Sequence, residues 1–269
     1  MIKLALIIAA VVPAAYLLFR VYQADKLEKE PPGLLISIVL LGIVTTILAS
    51  ITEQIGDAVL RNLFPQGGLV YDFLLYFVVV AVSEEGFKYL LLKLRTWKSP
   101  HFNCQFDGVV YAVFLSLGFA LWENIAYVLE YGFSAAAARA VTAVPGHACF
   151  GVFMGVWYGV AKRMDLAGDR EGSKTALRNA LWIPVLLHGA YDFIASLEVA
   201  WMGILFLAFI AWMFRTALQL IKKTSVEDAP LIESLKEQIK EQIEEQAEEQ
   251  KADQIEEQKE ENKDQNLNQ

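Results

Sequence analysis

Glu84 and Glu85 lie side by side in a run that otherwise reads as a membrane-spanning helix, residues 69–92, and Lys88 follows one turn later. A carboxylate at bilayer depth costs at least a few kcal/mol, so ionisable residues there mark functional sites. On a helix Lys88 is three residues from Glu85 and four from Glu84, within reach of either. One carboxylate is then held by the ammonium, and the other is free for general acid or base work. His188 and Asp192 repeat the i,i+4 spacing in a later apolar run, where a carboxylate fixes the tautomer and orientation of an imidazole. Glu123, Asn124 and His147 place further polar groups in apolar runs. Of three histidines only His101 falls in a polar loop. The set predicts a buried catalytic or ion-handling site inside a helical bundle.

The elements that must position these residues follow from hydropathy. The 269 residues are 55% hydrophobic with a mean hydropathy of +0.38. Several runs reach the ~20 apolar residues that cross a hydrocarbon core. Seven spans are expected, at about 2–19, 34–51, 69–92, 107–130, 140–161, 178–197 and 200–221. The fold class is therefore all-α, a polytopic membrane bundle with no room for a separate soluble domain. The first run continues past any Ala-rich cleavage site and is read as a retained span. Arg20, Lys26, Lys29, Lys93, Arg95, Lys98, Lys162 and Arg163 fall in one alternate set of loops, whereas the other set carries only Arg61 and Arg139. That asymmetry predicts an outside N-terminus and a cytoplasmic C-terminus.

The net charge of −8 belongs to the tail: residues 224–269 hold fifteen acidic and five basic residues, leaving residues 1–223 at +2. The expected division is a membrane domain, 1–223, and an acidic Glu/Gln/Lys-rich cytoplasmic tail, 224–269. Within the tail, Leu235, Ile239, Ile243 and Ala247 recur every four residues. Such a stripe drifts around a helix and makes a poor coiled-coil seam, so a solvated helix or a disordered tail is expected. Residues 52–64 read as a short amphipathic helix on the outer surface, before the turn at 65–68. Gly151, Gly155 and Gly159 form a face that lets a neighbouring helix approach closely, and His147 lies on the same stripe, so it points inward. Ala112, Ser116, Ala120 and Glu123 make a similar face. Asp107 is read as a helix cap, rotated away from Glu123. Cys104 and Cys149 suggest neither a disulfide nor a clustered metal site.

The ordered set Glu84-Glu85-x-x-Lys88, Phe119-x-x-x-Glu123-Asn124, His147 and His188-x-x-x-Asp192 resembles the PrsW family of bacterial intramembrane proteases. It is similar, more distantly, to the CAAX-protease and bacteriocin-processing superfamily. The match covers about residues 69–197, on consecutive spans. The resemblance implies a cell-membrane peptidase that cleaves a membrane-anchored protein near the extracytoplasmic surface, typically an anti-sigma factor at site 1. It marks Glu84, Glu85 and His188 as essential, with His147 and Glu123 in supporting motifs. Peptide hydrolysis needs an activated water, charge stabilisation at the carbonyl oxygen and a proton donor for the leaving amine. Glu84 or Glu85, assisted by His147, is assigned the water, and His188, oriented by Asp192, the carbonyl or the proton. A glutamate and two histidines could equally hold a divalent metal such as zinc. HExxH is absent, and the metal-free and metal-dependent mechanisms both stand. The expected partners are the protein substrate and the lipid bilayer, with no nucleic acid. The alternative classes are a transporter or proton relay and a non-catalytic membrane scaffold.

Overall fold

The computed structural model describes residues 2–197, 199, 201–233, 236–237 and 240. A compact unit ends at Asp228. The four-residue repeat of the tail, Leu235, Ile239, Ile243 and Ala247, lies outside the described residues.

Every regular element described is helical, as expected. They are α1 Ile2–Ala24, α2 Pro32–Leu63, α3 Leu69–Phe73, a π-helical stretch Leu74–Val80, α4 Ala81–Thr96, α5 Asp107–Tyr131, α6 Phe133–Val141, α7 Ala143–Leu166, α8 Arg170–Ser196 and α9 Met202–Val226. Their ends follow from local chemistry. Pro32 opens α2 at a position that needs no N–H donor. Gly132 and Gly168 take the positive φ values of 80° and 82° that break the chain after α5 and α7. Asp169 caps α8 by accepting the Gly172 N–H at 2.8 Å.

Five stretches are long and apolar enough to cross a membrane by length and composition: α1, α2, α5, α6 with α7, and α9. The two expected passes that fall short are 69–92, which lies within α3 to α4, and 178–197, which lies almost wholly within α8. The first is split into α3, the π-helical stretch and the 16-residue α4, none long enough by itself, whereas α8 is long enough and its apolar run is interrupted by His188 and Asp192. One expectation is corrected. Residues 52–63 are no separate surface helix but the last three turns of α2, which runs unbroken until the chain nears Pro65. The buried stripe of Gly42, Thr46 and Ala49 is followed one turn later by Glu53, which is partly buried.

The core is organised around α5, whose residues from Asp107 to Ala120 are all buried. Glycines permit that on two sides. A Cβ at Gly151, Gly155 or Gly159 of α7 would run into the backbone of Val113, Val109 or Gln105. On the opposite side, Gly42 of α2 meets the Leu115 carbonyl and Gly118 of α5 meets that of Val39. Close backbone approach of this kind holds membrane helices together through dispersion contacts where no hydrophobic drive exists between them. It also sets the rotation of α7, which turns His147 inward.

Candidate active site

The first carboxylates enter the bundle through an irregular segment. The π-helical stretch Leu74–Val80 directly precedes α4, and a widened turn of this type changes the angular register of the helix beyond it. Phe77 in this stretch packs on Gly189 of α8, so the two passes that bear the charged residues lie close together. Tyr76, Val80 and Glu84 then line one cavity of about 430 Å³, together with Glu123, His147 and His188.

Lys88 is fully buried and sits at the centre of the constellation. Its Nζ lies 2.8 Å from Glu85 Oε1, 3.0 Å from Glu84 Oε2 and 3.3 Å from His147 Nδ1. The ammonium also stands 3.8 Å above the centre of the Phe119 ring, a cation–π contact that compensates part of its desolvation. Glu85, with no exposure, is wedged between Lys88 and His188 Nδ1, the latter at 2.9 Å. The other ring nitrogen of His188 faces Asp192 Oδ2 at 3.2 Å. The His188–Asp192 pair is thus formed as its spacing suggested, while the contact with Glu85 bridges residues 103 apart. Phe150 stacks on the His188 ring at 4.6 Å and fixes its plane.

His147 has its own support. Its Nε2 lies 2.9 Å from Glu123 Oε2, which also accepts from Arg139 at 2.6 Å. Arg139 Nε donates to Asn124 Oδ1 at 3.0 Å, and Asn124 Nδ2 donates to the Ala10 carbonyl of α1 at 2.8 Å. Glu123 therefore belongs beside the histidine. Asn124 stands one step further out, tying α1 and α6 to the network. Asp107 is not a helix cap: its Oδ2 accepts the N–H groups of Asn103 and Cys104 in the preceding loop.

Two residues escape sequence reading. Arg139 counts there only as a stray positive charge in a loop. Glu53 lines the same cavity as Glu84, with Oε1 buried and unpartnered among the described residues. The signal for Glu53 was its place in the small-residue stripe of α2.

Oxygen and nitrogen atoms of Glu84, Glu85, His147 and His188 come within 4.8 Å of one another. Glu85 Oε2 is buried without a partner among the described residues. Two carboxylates and two imidazoles suit a divalent transition metal, so this buried cluster could bind one. Lys88 now touches three of the four donors, and a metal held by all of them requires the ammonium to withdraw.

The family model described as PrsW family intramembrane metalloprotease matches residues 30–218. The chain belongs to the PrsW family. A Protease PrsW of Clostridioides difficile (strain 630) is 32% identical over 231 residues, covering 82% of this chain and 92% of the relative. Protease PrsW of Bacillus subtilis (strain 168) is also 32% identical, over 77% of this chain and 91% of the relative. That of Oceanobacillus iheyensis is 34% identical over 71% and 83%. No solved structure matches. As a PrsW family member with several membrane-crossing helices, the chain is a membrane protein and an intramembrane peptidase.

Proposed function

We propose that this peptidase cleaves a membrane-anchored protein near the membrane face opposite the Lys/Arg-rich loops, with Glu84 as the residue that activates water. The observation that carries this assignment is the different placement of the paired glutamates. Glu84 lines the cavity, whereas Glu85 is absent from its lining and held between Lys88 and His188. A base must reach the water it deprotonates; a clamped carboxylate does not. Glu85 then serves as a positioning residue that orients His188 from one side while Asp192 orients it from the other. His188 supplies hydrogen bonding or a proton at the scissile carbonyl and leaving amine, and His147 assists at the water. Arg139 and Glu123 hold His147 in place.

The depth of the site supports cleavage near one surface. Glu123, which holds His147, stands eight residues before the end of α5, roughly 12 Å of helix rise. The loop asymmetry supports an outside N-terminus and a cytoplasmic C-terminus, which makes that surface extracytoplasmic. The chain is then a protease domain, 1–223, followed by an acidic cytoplasmic tail, 224–269. Zinc suits mixed carboxylate and imidazole donors; Glu85, His147 and His188 would hold it with Glu84 left off the metal as the base, and it would supply Lewis-acid activation of water. An anti-sigma factor with a single span is the substrate class we favour.

The test pairs the purified protein in proteoliposomes with single-span anti-sigma factors, with and without a strong chelator. Cleavage by the wild type and none by Glu84→Gln is expected. Wild-type rates in Glu84→Gln would overturn the assignment, and chelator-resistant cleavage would remove zinc from it.

A further inference from the structure

A second concentration of buried carboxyl groups lies at the other end of α5, where the 25–31 loop meets the 97–106 loop. Asp25 is 1% exposed and Glu30 3% exposed. Asp25 Oδ2, Glu30 Oε2 and Asn103 Oδ1 are each buried with no hydrogen-bond partner among the described residues. Six side-chain atoms share that condition, so half of them fall in this one corner. An orphaned buried acceptor costs about 1–3 kcal/mol, which makes three together a demand for a donor or a cation.

The neighbours do not meet that demand. Glu30 feels the charges of Asp25 and Glu28 and is hydrogen-bonded through its side chain to Tyr111 and Asp107, while its Oε2 stays without a partner among the described residues. Asp25 feels Asp228 and Glu28. Asp107 Oδ2 is occupied by two backbone N–H groups, and Asp228 Oδ1 accepts the Phe106 N–H at 3.0 Å. The Tyr111 hydroxyl donates to the His101 carbonyl at 2.9 Å. Asn103 Nδ2 donates to Glu28 Oε2 at 3.0 Å, which directs its carbonyl oxygen away from Glu28. Lys29 is the cation felt by Asp25, but its Nζ donates to the backbone carbonyls of Tyr22 and Asp25. Burial pushes Asp25 up to about 6 and Glu30 up to about 7. Burial, followed by the Asp107 charge, likewise pushes the Cys104 thiol up.

We infer that this corner binds a hard divalent cation, Ca²⁺ or Mg²⁺, through Asp25, Glu30 and the side-chain carbonyl of Asn103. Two carboxylates and an amide oxygen, with no imidazole or thiolate among them, are the ligands such ions take, the remaining positions going to water. The ion would join the α1–α2 loop to the loop that starts α5. Asp107 and Glu123 are sixteen residues apart on one helix, roughly 24 Å, so this site is distinct from the membrane cluster. Its role is to hold the helix ends together, and it needs no assumption about the substrate or the cleavage chemistry.

The experiment uses the full chain in detergent micelles, stripped with a chelator, with thermal unfolding followed as Ca²⁺ or Mg²⁺ is added. Terbium luminescence serves as a direct binding readout. The wild type and His188→Ala should show a saturable rise of roughly 2–4 °C, lost in Glu30→Gln and reduced in Asn103→Ala. Lowering the pH from 7.5 to 5.5 should weaken binding at least about tenfold, because protons compete for both carboxylates. If Glu30→Gln does not fold, Asn103→Ala carries the test, since it removes one neutral ligand oxygen. Absence of a saturable shift in the wild type would overturn the inference. So would equal shifts in the wild type and both corner variants, or a shift lost in His188→Ala and kept in Glu30→Gln, which would place the ion in the membrane cluster.

Discussion

The two ends of α5 hold acidic groups in opposite ways. Around Glu84, Glu85 and Glu123, each carboxylate has an oxygen on a cation, and both histidines have nitrogens on carboxylates. Around Asp25, Glu28, Glu30, Asp107 and Asp228, the nearby ammonium is turned onto backbone carbonyls and three acceptor oxygens remain open. The first cluster sets every one of these three carboxylates on a cation, leaving Glu85 Oε2 and the neighbouring Glu53 Oε1 without a partner among the described residues. It lies among membrane-crossing helices, where an unmatched charge is most expensive. The second is made by loops, and an ion from water can complete it. Burial alone therefore does not identify an active site. What distinguishes the membrane cluster is a carboxylate that is matched and still faces a cavity.

That contrast can be broken most forcefully at Glu84. Glu84→Gln should lower cleavage by about 10²–10⁴-fold with little change in unfolding temperature, since it keeps shape and hydrogen bonding while removing the base. Glu85→Gln should lower both, and equal behaviour of the two variants in a paired activity and unfolding measurement would erase the proposed division of roles. Lys88→Met strands buried carboxylates and should destabilise the fold by about 3–5 kcal/mol, read by denaturant titration; unchanged stability would show that the ammonium does not hold them. Arg139→Gln frees Glu123 and should reduce turnover by roughly 10–100-fold through misoriented His147, with the loss in kcat rather than KM. The smallest effect belongs to the loop corner. Asp25 and Glu30 bind protons more tightly folded than unfolded, so stability in chelator should fall as pH rises from about 5 through about 7. Saturating Ca²⁺ should flatten that slope, and a slope insensitive to Glu30→Gln would assign it elsewhere.

Much of the membrane site was legible because its internal pairs are local. Glu84, Glu85 and Lys88, and His188 with Asp192, meet through helical spacing alone, and the Gly151–Gly155–Gly159 face finds a close neighbour as its period requires. Glu53 was misread because hydropathy falls after residue 51, although the helix continues. Arg139 was missed because the sequence placed it in a loop and an arginine carries no mark of its target, whereas the structure puts it in α6. The loop corner was invisible for a stronger reason: Asp25 and Asn103 are nearly eighty residues apart and carry no periodicity.

By itself the sequence determined the helical class, the membrane-crossing runs and the pairs within one helix, because all three follow from hydropathy and a 3.6-residue turn. Only the tertiary structure decided that Lys88 reaches His147, that Glu85 clamps His188, that Glu84 faces the cavity and that buried, unpartnered oxygens of Asp25, Glu30 and Asn103 fall in the two loops at the far end of α5. Those contacts depend on how each helix is rotated about its axis. That rotation is set by backbone approach at glycines and by a π-helical turn, which act between segments far apart in the chain.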